Sequence, residues 1–285
     1  MESVSPSLAI VVSDKFSGLS KLDNKHVICY SDFVGKLIND QIDEPILAYI
    51  GQGINTVKVD NLKKIISSKN LDEQVQLISN PNPKAQKQSV HKEDEKNVAI
   101  TEPRAIGENT YEAELLLDDD CAEMSDHVTG IHVQGILLIE SARQMMMAST
   151  EKELEKRNIE NSYAYVLKSI SIEYFQYLYP IYSRLVCTLH DFTFSEKGYI
   201  EANLDVEFFQ SNKSVCVVNC HAQGFVKKKL KIMEHRMART CLAAEKNLLT
   251  NHYDQALNED GSLDITPYYA TNVNSFNIAK EENPA

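Results

Sequence analysis

The segment Asp126-His-Val-Thr-Gly-Ile-His-Val-Gln-Gly-Ile-Leu-Leu-Ile-Glu-Ser-Ala-Arg-Gln144 sets two imidazoles, a glycine turn and a carboxylate into an otherwise apolar run. From Gly135 to Met147 the chain is apolar on nearly every face, the pattern of a helix enclosed by protein on all sides. Glu140, Arg143 and Gln144 stand at i, i+3 and i+4, so that helix carries one polar spot. A carboxylate placed there is costly unless paired, and its proton affinity is perturbed by burial or by its partners. Perturbed groups of this kind concentrate at functional sites.

Gly135, four apolar residues, Glu140 and then Gln144 resemble the motif of the hotdog-fold β-hydroxyacyl dehydratases, with a spacing from His127 to Gly135 one residue shorter than in that motif. The runs Asp126-His-Val-Thr-Gly130 and Glu140-Ser-Ala-Arg-Gln144 are more similar to the Asp-His-Val-Pro-Gly and Glu-Ala-Ala-Arg-Gln of the A-factor (AfsA-type) γ-butyrolactone biosynthesis family. Thr129 or Gln134 stands where that family has proline, and one such repeat is found where typical members carry two. The resemblance covers roughly residues 91 to 245. It implies an α+β hotdog fold, an antiparallel sheet wrapped around a long central helix, and chemistry on an acyl thioester. In that family a β-ketoacyl group from a carrier is joined to the hydroxyl of dihydroxyacetone phosphate. Dehydration or thioester hydrolysis of an acyl-carrier or CoA substrate is the nearest alternative, and a non-catalytic module that holds an acyl ligand is another, because a fold does not fix a reaction. A single hotdog unit leaves a sheet edge open, so a homodimer is expected.

Outward from the motif, the order of elements agrees. Strand patterns are expected over Ala164–Phe175, Ser183–Phe194, Tyr199–Phe209 and Ser214–Val226, with Leu185, Cys187 and Leu189 alternating against Arg184, Thr188 and His190. Gln210-Ser-Asn-Lys213 and Glu196-Lys-Gly198 read as turns between them. Before the motif, short β-like runs at Leu8–Val12, His26–Tyr30, Ile46–Ile50 and Val75–Ile78 alternate with helical ones at Phe33–Ile38 and Leu62–Ser67, which predicts a small α/β layer with parallel strands. We expect that layer over residues 1–80, a polar, proline-punctuated linker over 81–96, the hotdog domain over 97–245 and a polar tail over 246–285.

Composition excludes several classes. Asp and Glu number 41 against 29 Lys and Arg, a net charge of −12 that repels nucleic-acid phosphates and anionic lipid. The chain shows neither a membrane-length apolar run nor the basic-then-apolar order of a signal peptide at its start, so a cytoplasmic location is expected. The six cysteines lack Cys-x-x-Cys spacing and read as reduced, mostly buried thiols.

For an acyl transfer, Glu140, His127 or His132 is the candidate base, while the backbone at Gly135 with its helix N-terminus polarises the carbonyl and Arg143 and Gln144 bind substrate. On that reading Glu140→Gln lowers turnover by about a hundredfold at little cost in stability. The other readings stay open. Glu140 also suits a structural carboxylate, the histidines suit local loop hydrogen bonds, and His127, His132 and Glu140 are all zinc-ligand types, although no fourth group is at hand and neither metal nor cofactor is expected. Met145, Met146 and Met147 suit a core or the wall of an acyl tunnel. Gly51-Gln-Gly53 has the location of a phosphate loop without the full spacing. Lys227-Lys-Lys-Leu-Lys231 reads as a solvated strand end or a dock for an acidic carrier.

Overall fold

A computed structural model describes residues 6–126, 129–159, 163–195, 198–256 and 262. The chain divides into two compact units, Met1–Gly224 and Phe225–Ala285.

The first unit opens with four parallel strands and their helices: β1 (Ser7–Val12), α1 (Ser17–Leu22), β2 (Val27–Cys29), α2 (Tyr30–Ile38), β3 (Ile46–Ile50), α3 (Thr56–Ser68) and β4 (Val75–Ile78). The strand order is β2-β1-β3-β4, with all three pairings parallel. This is the small α/β layer that the alternation predicts. Val11, Phe33, Leu37, Ala48, Leu62 and Ile66 fill its core, and the Asn55 side chain caps α3 by accepting from the Lys58 N–H at 3.0 Å.

The second sheet runs β5-β6-β8-β9-β10-β7. Its strands are β5 (Arg104–Ala105), β6 (Thr110–Glu114), β7 (Tyr163–Tyr174), β8 (Arg184–Phe194), β9 (Ile200–Gln210) and β10 (Lys213–Val226). The short helix α4 (Ala122–Asp126) and the long α5 (Gly135–Lys156) come between β6 and β7. Alternation decides which face of the sheet turns inward: Leu185, Cys187 and Leu189 of β8 and Ile200, Leu204, Val206 and Phe208 of β9 are buried, opposite polar neighbours. The turn joining β9 to β10 holds Ser211 and Asn212 at φ 51° and 60°, the left-handed pair of a tight hairpin. Leu137, Leu138, Met145, Met146 and Leu154 of α5 are buried, and the helix packs on β8 and β9. An antiparallel sheet folded on one long helix is the hotdog arrangement, in an α+β protein as expected.

Gly51-Gln-Gly53 proves to be a joint rather than a phosphate loop. The buried Gln52 amide donates to the carbonyls of Leu115 (2.9 Å) and Ile181 (3.3 Å) and accepts from the Leu117 N–H at 2.8 Å, tying the end of β3 to the second sheet. Gly53 adopts φ +83°, and a Cβ there would lie 2.6 Å from the Ser13 Cβ. The N–H groups that would cradle a phosphate are spent on the protein itself, Gly51 donating to the Val11 carbonyl, Gln52 to Pro180 and Gly53 to Leu117. Asp119 strengthens the joint, since its carboxylate accepts from Ser13 Oγ (2.5 Å) and pairs with Lys58 Nζ (2.6 Å).

Residues 81–96 have no regular periodicity, yet Ala85 and Val90 are buried and the Ala85 N–H donates to the Ile100 carbonyl at 3.0 Å. The second unit contains α6 (Lys227–Ala256). The lysine run Lys227–Lys231, expected at a strand end, forms its first turn instead, and helix continues into the segment read as a polar tail.

Candidate active site at the N-terminus of the central helix

Thr129 shapes the entry to α5. Its hydroxyl donates to the His132 carbonyl and accepts from the His132 N–H at 3.1 Å, while Gly130 takes φ +81°, a left-handed turn that glycine enters at no steric cost. The Val133 N–H then donates to the Leu178 carbonyl at 2.8 Å, and Gln134 caps the helix without a side-chain bond. No acidic residue stands in the first turn, so the positive end of the helix dipole is not neutralised there.

This helix end opens into a cleft of about 470 Å³ lined by His132, Gly135, Leu138 and the aromatic run Tyr174, Phe175 and Tyr177. The His132 and Tyr177 rings lie 4.5 Å apart. Gly135 is needed for space, because a Cβ would fall 2.5 Å from the Tyr174 hydroxyl. His132 and Gly135 therefore line one cavity. His127 lies outside the described residues.

Glu140 faces another environment. Its Oε1 receives Lys92 Nζ (2.8 Å), Arg143 Nη2 (2.8 Å) and Gln144 Nε2 (2.9 Å), and its Oε2 receives Arg143 Nε (2.8 Å). Burial by itself raises the pKa of this carboxyl, but the bonds from Arg143, Lys92 and Gln144 outweigh it and hold the value at about 2. A carboxylate so paired has little affinity for a proton at neutral pH, and it lines neither the helix-end cleft nor the second one described below. The geometry holds Glu140 as an ion-pair centre between Arg143 and Lys92. Zinc ligation by the same group is disfavoured too, since its oxygens are already occupied by cations.

Gln144 is completely buried and spends its amide inside the protein, accepting from the Ala99 N–H (2.9 Å) and donating to the Asn97 carbonyl (2.8 Å). It fastens the segment before β5 to α5, which makes it a positioning residue.

Arg143 reaches the wall of a second, apolar pocket of about 90 Å³ with Met146, Met147, Tyr165, Ile200, Cys220 and Gly224. Along α5 it lies about 12 Å from Gly135, at 1.5 Å of rise per residue. Met146 and Met147 line this small apolar pocket, whereas Met145 is wholly buried core.

Sequence reasoning missed Lys92, because nothing in its polar surroundings marks it, and it missed Tyr174 and Tyr177. The crowding of aromatics in Tyr174-Phe-Gln-Tyr-Leu-Tyr179 was the signal available for the tyrosines.

Cys29, Cys121, Cys187, Cys216 and Cys220 are buried free thiols, and burial pushes the Cys187 and Cys216 thiols up to about 12, which leaves them unreactive. Among the described residues no helix is long and apolar enough to cross a membrane.

Several solved structures show a loose likeness to this chain. A mutant thioesterase from Pseudomonas aeruginosa is 10% identical, with a TM-score of 0.33 over 44% of this chain and 80% of its own. A thioesterase from Haemophilus influenzae is 16% identical, with a TM-score of 0.31 over 46% and 80%. An uncharacterised protein from Pyrococcus horikoshii is 15% identical, with a TM-score of 0.33 over 50% and 93%. These likenesses are loose, and the fold rests on the strand order and central helix described above. No curated protein sequence matches the chain. The profile of the A-factor biosynthesis hotdog domain, AfsA, matches residues 74–225, more than half of the chain, and with the Asp126–Gln144 motif and the helix-in-sheet architecture this makes the protein a member of the AfsA hotdog family.

Proposed function

We propose that this chain is an acyl-thioester-processing enzyme of the cytoplasm that transfers a β-ketoacyl group from a carrier protein or CoA to a small hydroxylated, phosphorylated acceptor such as dihydroxyacetone phosphate. The observation that carries the reading is the uncapped, acid-free N-terminus of α5 opening at Gly135 onto a cleft that also holds His132. A thioester carbonyl at this helix end meets backbone dipoles oriented to stabilise a developing oxyanion. His132, held by Thr129 through both of its backbone groups, is the base we assign. It takes the proton of the acceptor hydroxyl as that oxygen attacks the carbonyl carbon, the C–S bond breaks, and the proton passes to the departing thiolate. We assign the end of an acyl tail to the small apolar pocket beside Met146 and Met147.

The long edge strand β7 exposes Leu167, Ile170 and Tyr174 along its length, and a homodimer paired through it is part of the proposal. The strongest support for a non-catalytic acyl-binding module is the immobilised Glu140. The test incubates the protein with a β-ketoacyl carrier thioester, with and without dihydroxyacetone phosphate, and identifies products by mass spectrometry. Ester supports transfer, enoyl product dehydration, and free acid hydrolysis. Binding of the thioester with none of these products replaces the enzyme by the module.

A further inference from the structure

Helix α6 combines two features that its own unit does not use. Every residue from Lys231 to Asn251 is exposed, including Ile232, Met233, Met237, Leu242, Leu248 and Leu249. Leu230, Met233, Met237, Cys241, Ala244 and Leu248 follow one another at spacings of 3, 4, 4, 3 and 4, an eleven-residue period that keeps them on one stripe of a nearly straight helix. Exposed apolar surface in such an array marks an interaction site. Around it lie Lys227, Lys228, Lys229, Lys231, Arg236, Arg239 and Lys246 against Glu234 and Glu245, a net +5 over residues 227–251 that leaves −17 on the remainder of a chain whose total is −12. None of these cations forms an ion pair among the described residues.

We infer that this face of α6 docks an acidic protein, and that the protein is the acyl carrier that delivers the thioester; the identity of the partner rests on the acyl-transfer reading above. Charge complementarity selects it. A second copy of the helix set parallel brings like charges together, and set antiparallel it offers the basic half little negative charge. An anionic membrane would bury one side of the helix, whereas Ile232, Leu242 and Leu249 lie off the stripe and are covered only by a partner with relief of its own. The basic run also starts at Lys227, three residues after Gly224 on the wall of the apolar cleft, so the chain tethers it to the catalytic unit.

The full-length protein is assayed with the same β-ketoacyl group on an acyl carrier protein and on pantetheine. Joint replacement Lys227→Gln, Lys228→Gln, Lys229→Gln and Lys231→Gln, with helix content checked by circular dichroism, is expected to lower the carrier-to-pantetheine ratio of kcat/KM by about tenfold or more, mainly through KM. Met233→Gln with Met237→Gln gives a second variant at unchanged charge, expected to act in the same direction. A ratio that stays within about twofold in both variants overturns the docking surface while leaving acyl transfer intact. If wild type turns over neither substrate, the transfer reading fails, and calorimetric titration of acylated carrier protein decides the surface: a Kd unchanged by the lysine variant overturns it. Loss of phosphatidylglycerol-vesicle binding in the variants with no carrier binding by wild type, or conversion of a dimer to monomer, assigns the helix to a membrane or to a second copy and likewise overturns the inference.

Discussion

Replacing Glu140 by Gln removes the negative centre shared by Arg143 and Lys92 while keeping size and most hydrogen-bonding reach. The carboxyl titrates at about 2 in the folded protein against an ordinary 4.5, and 1.36 kcal/mol per pKa unit sets its electrostatic contribution at about 3 kcal/mol. Its side chain is 18% exposed and Lys92's is 17%, so solvent screens the pair little. The amide of the variant retains part of the bonding, and the expected loss at pH 7 is about 2–3 kcal/mol, consistent with stranding half-buried cations. This differs from the small stability cost that the sequence suggests.

The pH dependence has a definite sign. A depressed carboxyl pKa stabilises above the unfolded value and loses that stabilisation as pH falls toward the folded one, so between pH 7 and 3.5 the gap between wild type and variant narrows by about 1.4 kcal/mol. Urea titrations of both proteins at the two pH values measure it. A gap below about 0.5 kcal/mol at pH 7, or one unchanged at pH 3.5, refutes the ion-pair account. Turnover of a refolded variant close to wild type then separates a positioning Glu140 from a catalytic one.

Gly135→Ala drives a methyl group to within 2.5 Å of the Tyr174 hydroxyl and is expected to reduce turnover tenfold or more, with partial recovery in Gly135→Ala/Tyr174→Phe, read in the mass-spectrometric assay. His132→Gln is expected to lower kcat by about a hundredfold or more with little change in the thermal midpoint, because its backbone bonds to Thr129 persist; an unchanged kcat removes His132 as base. Gln52→Ala strands the carbonyls of Leu115 and Ile181 and the Leu117 N–H, costing about 2–4 kcal/mol in urea unfolding. A chain starting near Val90 loses Gln52 together with the partners Ser13 and Lys58 of Asp119, and is expected to unfold at lower denaturant than the full chain; an equal midpoint would show that the α/β layer and the hotdog domain fold independently.

Local periodicity carried much of the architecture. The alternation of Leu185, Cys187 and Leu189, the mostly apolar Gly135–Met147 and the β–α alternation before residue 80 are short-range patterns, so both sheets and the central helix were legible in the sequence. The Asp126–Gln144 spacing likewise brought His132 to Gly135, because both lie within one helix entry. Partners distant in the chain decided the rest. Glu140 was readable as a carboxylate in an apolar helix, but its state depends on Lys92, 48 residues earlier in a stretch with no pattern of its own. Gly51-Gln-Gly53 had the composition of a ligand loop, and only the carbonyls of Leu115 and Ile181 show it to be a joint. Lys227–Lys231 continues a strand by sequence order and starts a helix in the fold. A side chain's type fixes what it can bond to; whether a carboxylate serves as base or as ion pair is set by the groups that folding brings within 3 Å of it, and those come from parts of the chain that local pattern does not connect.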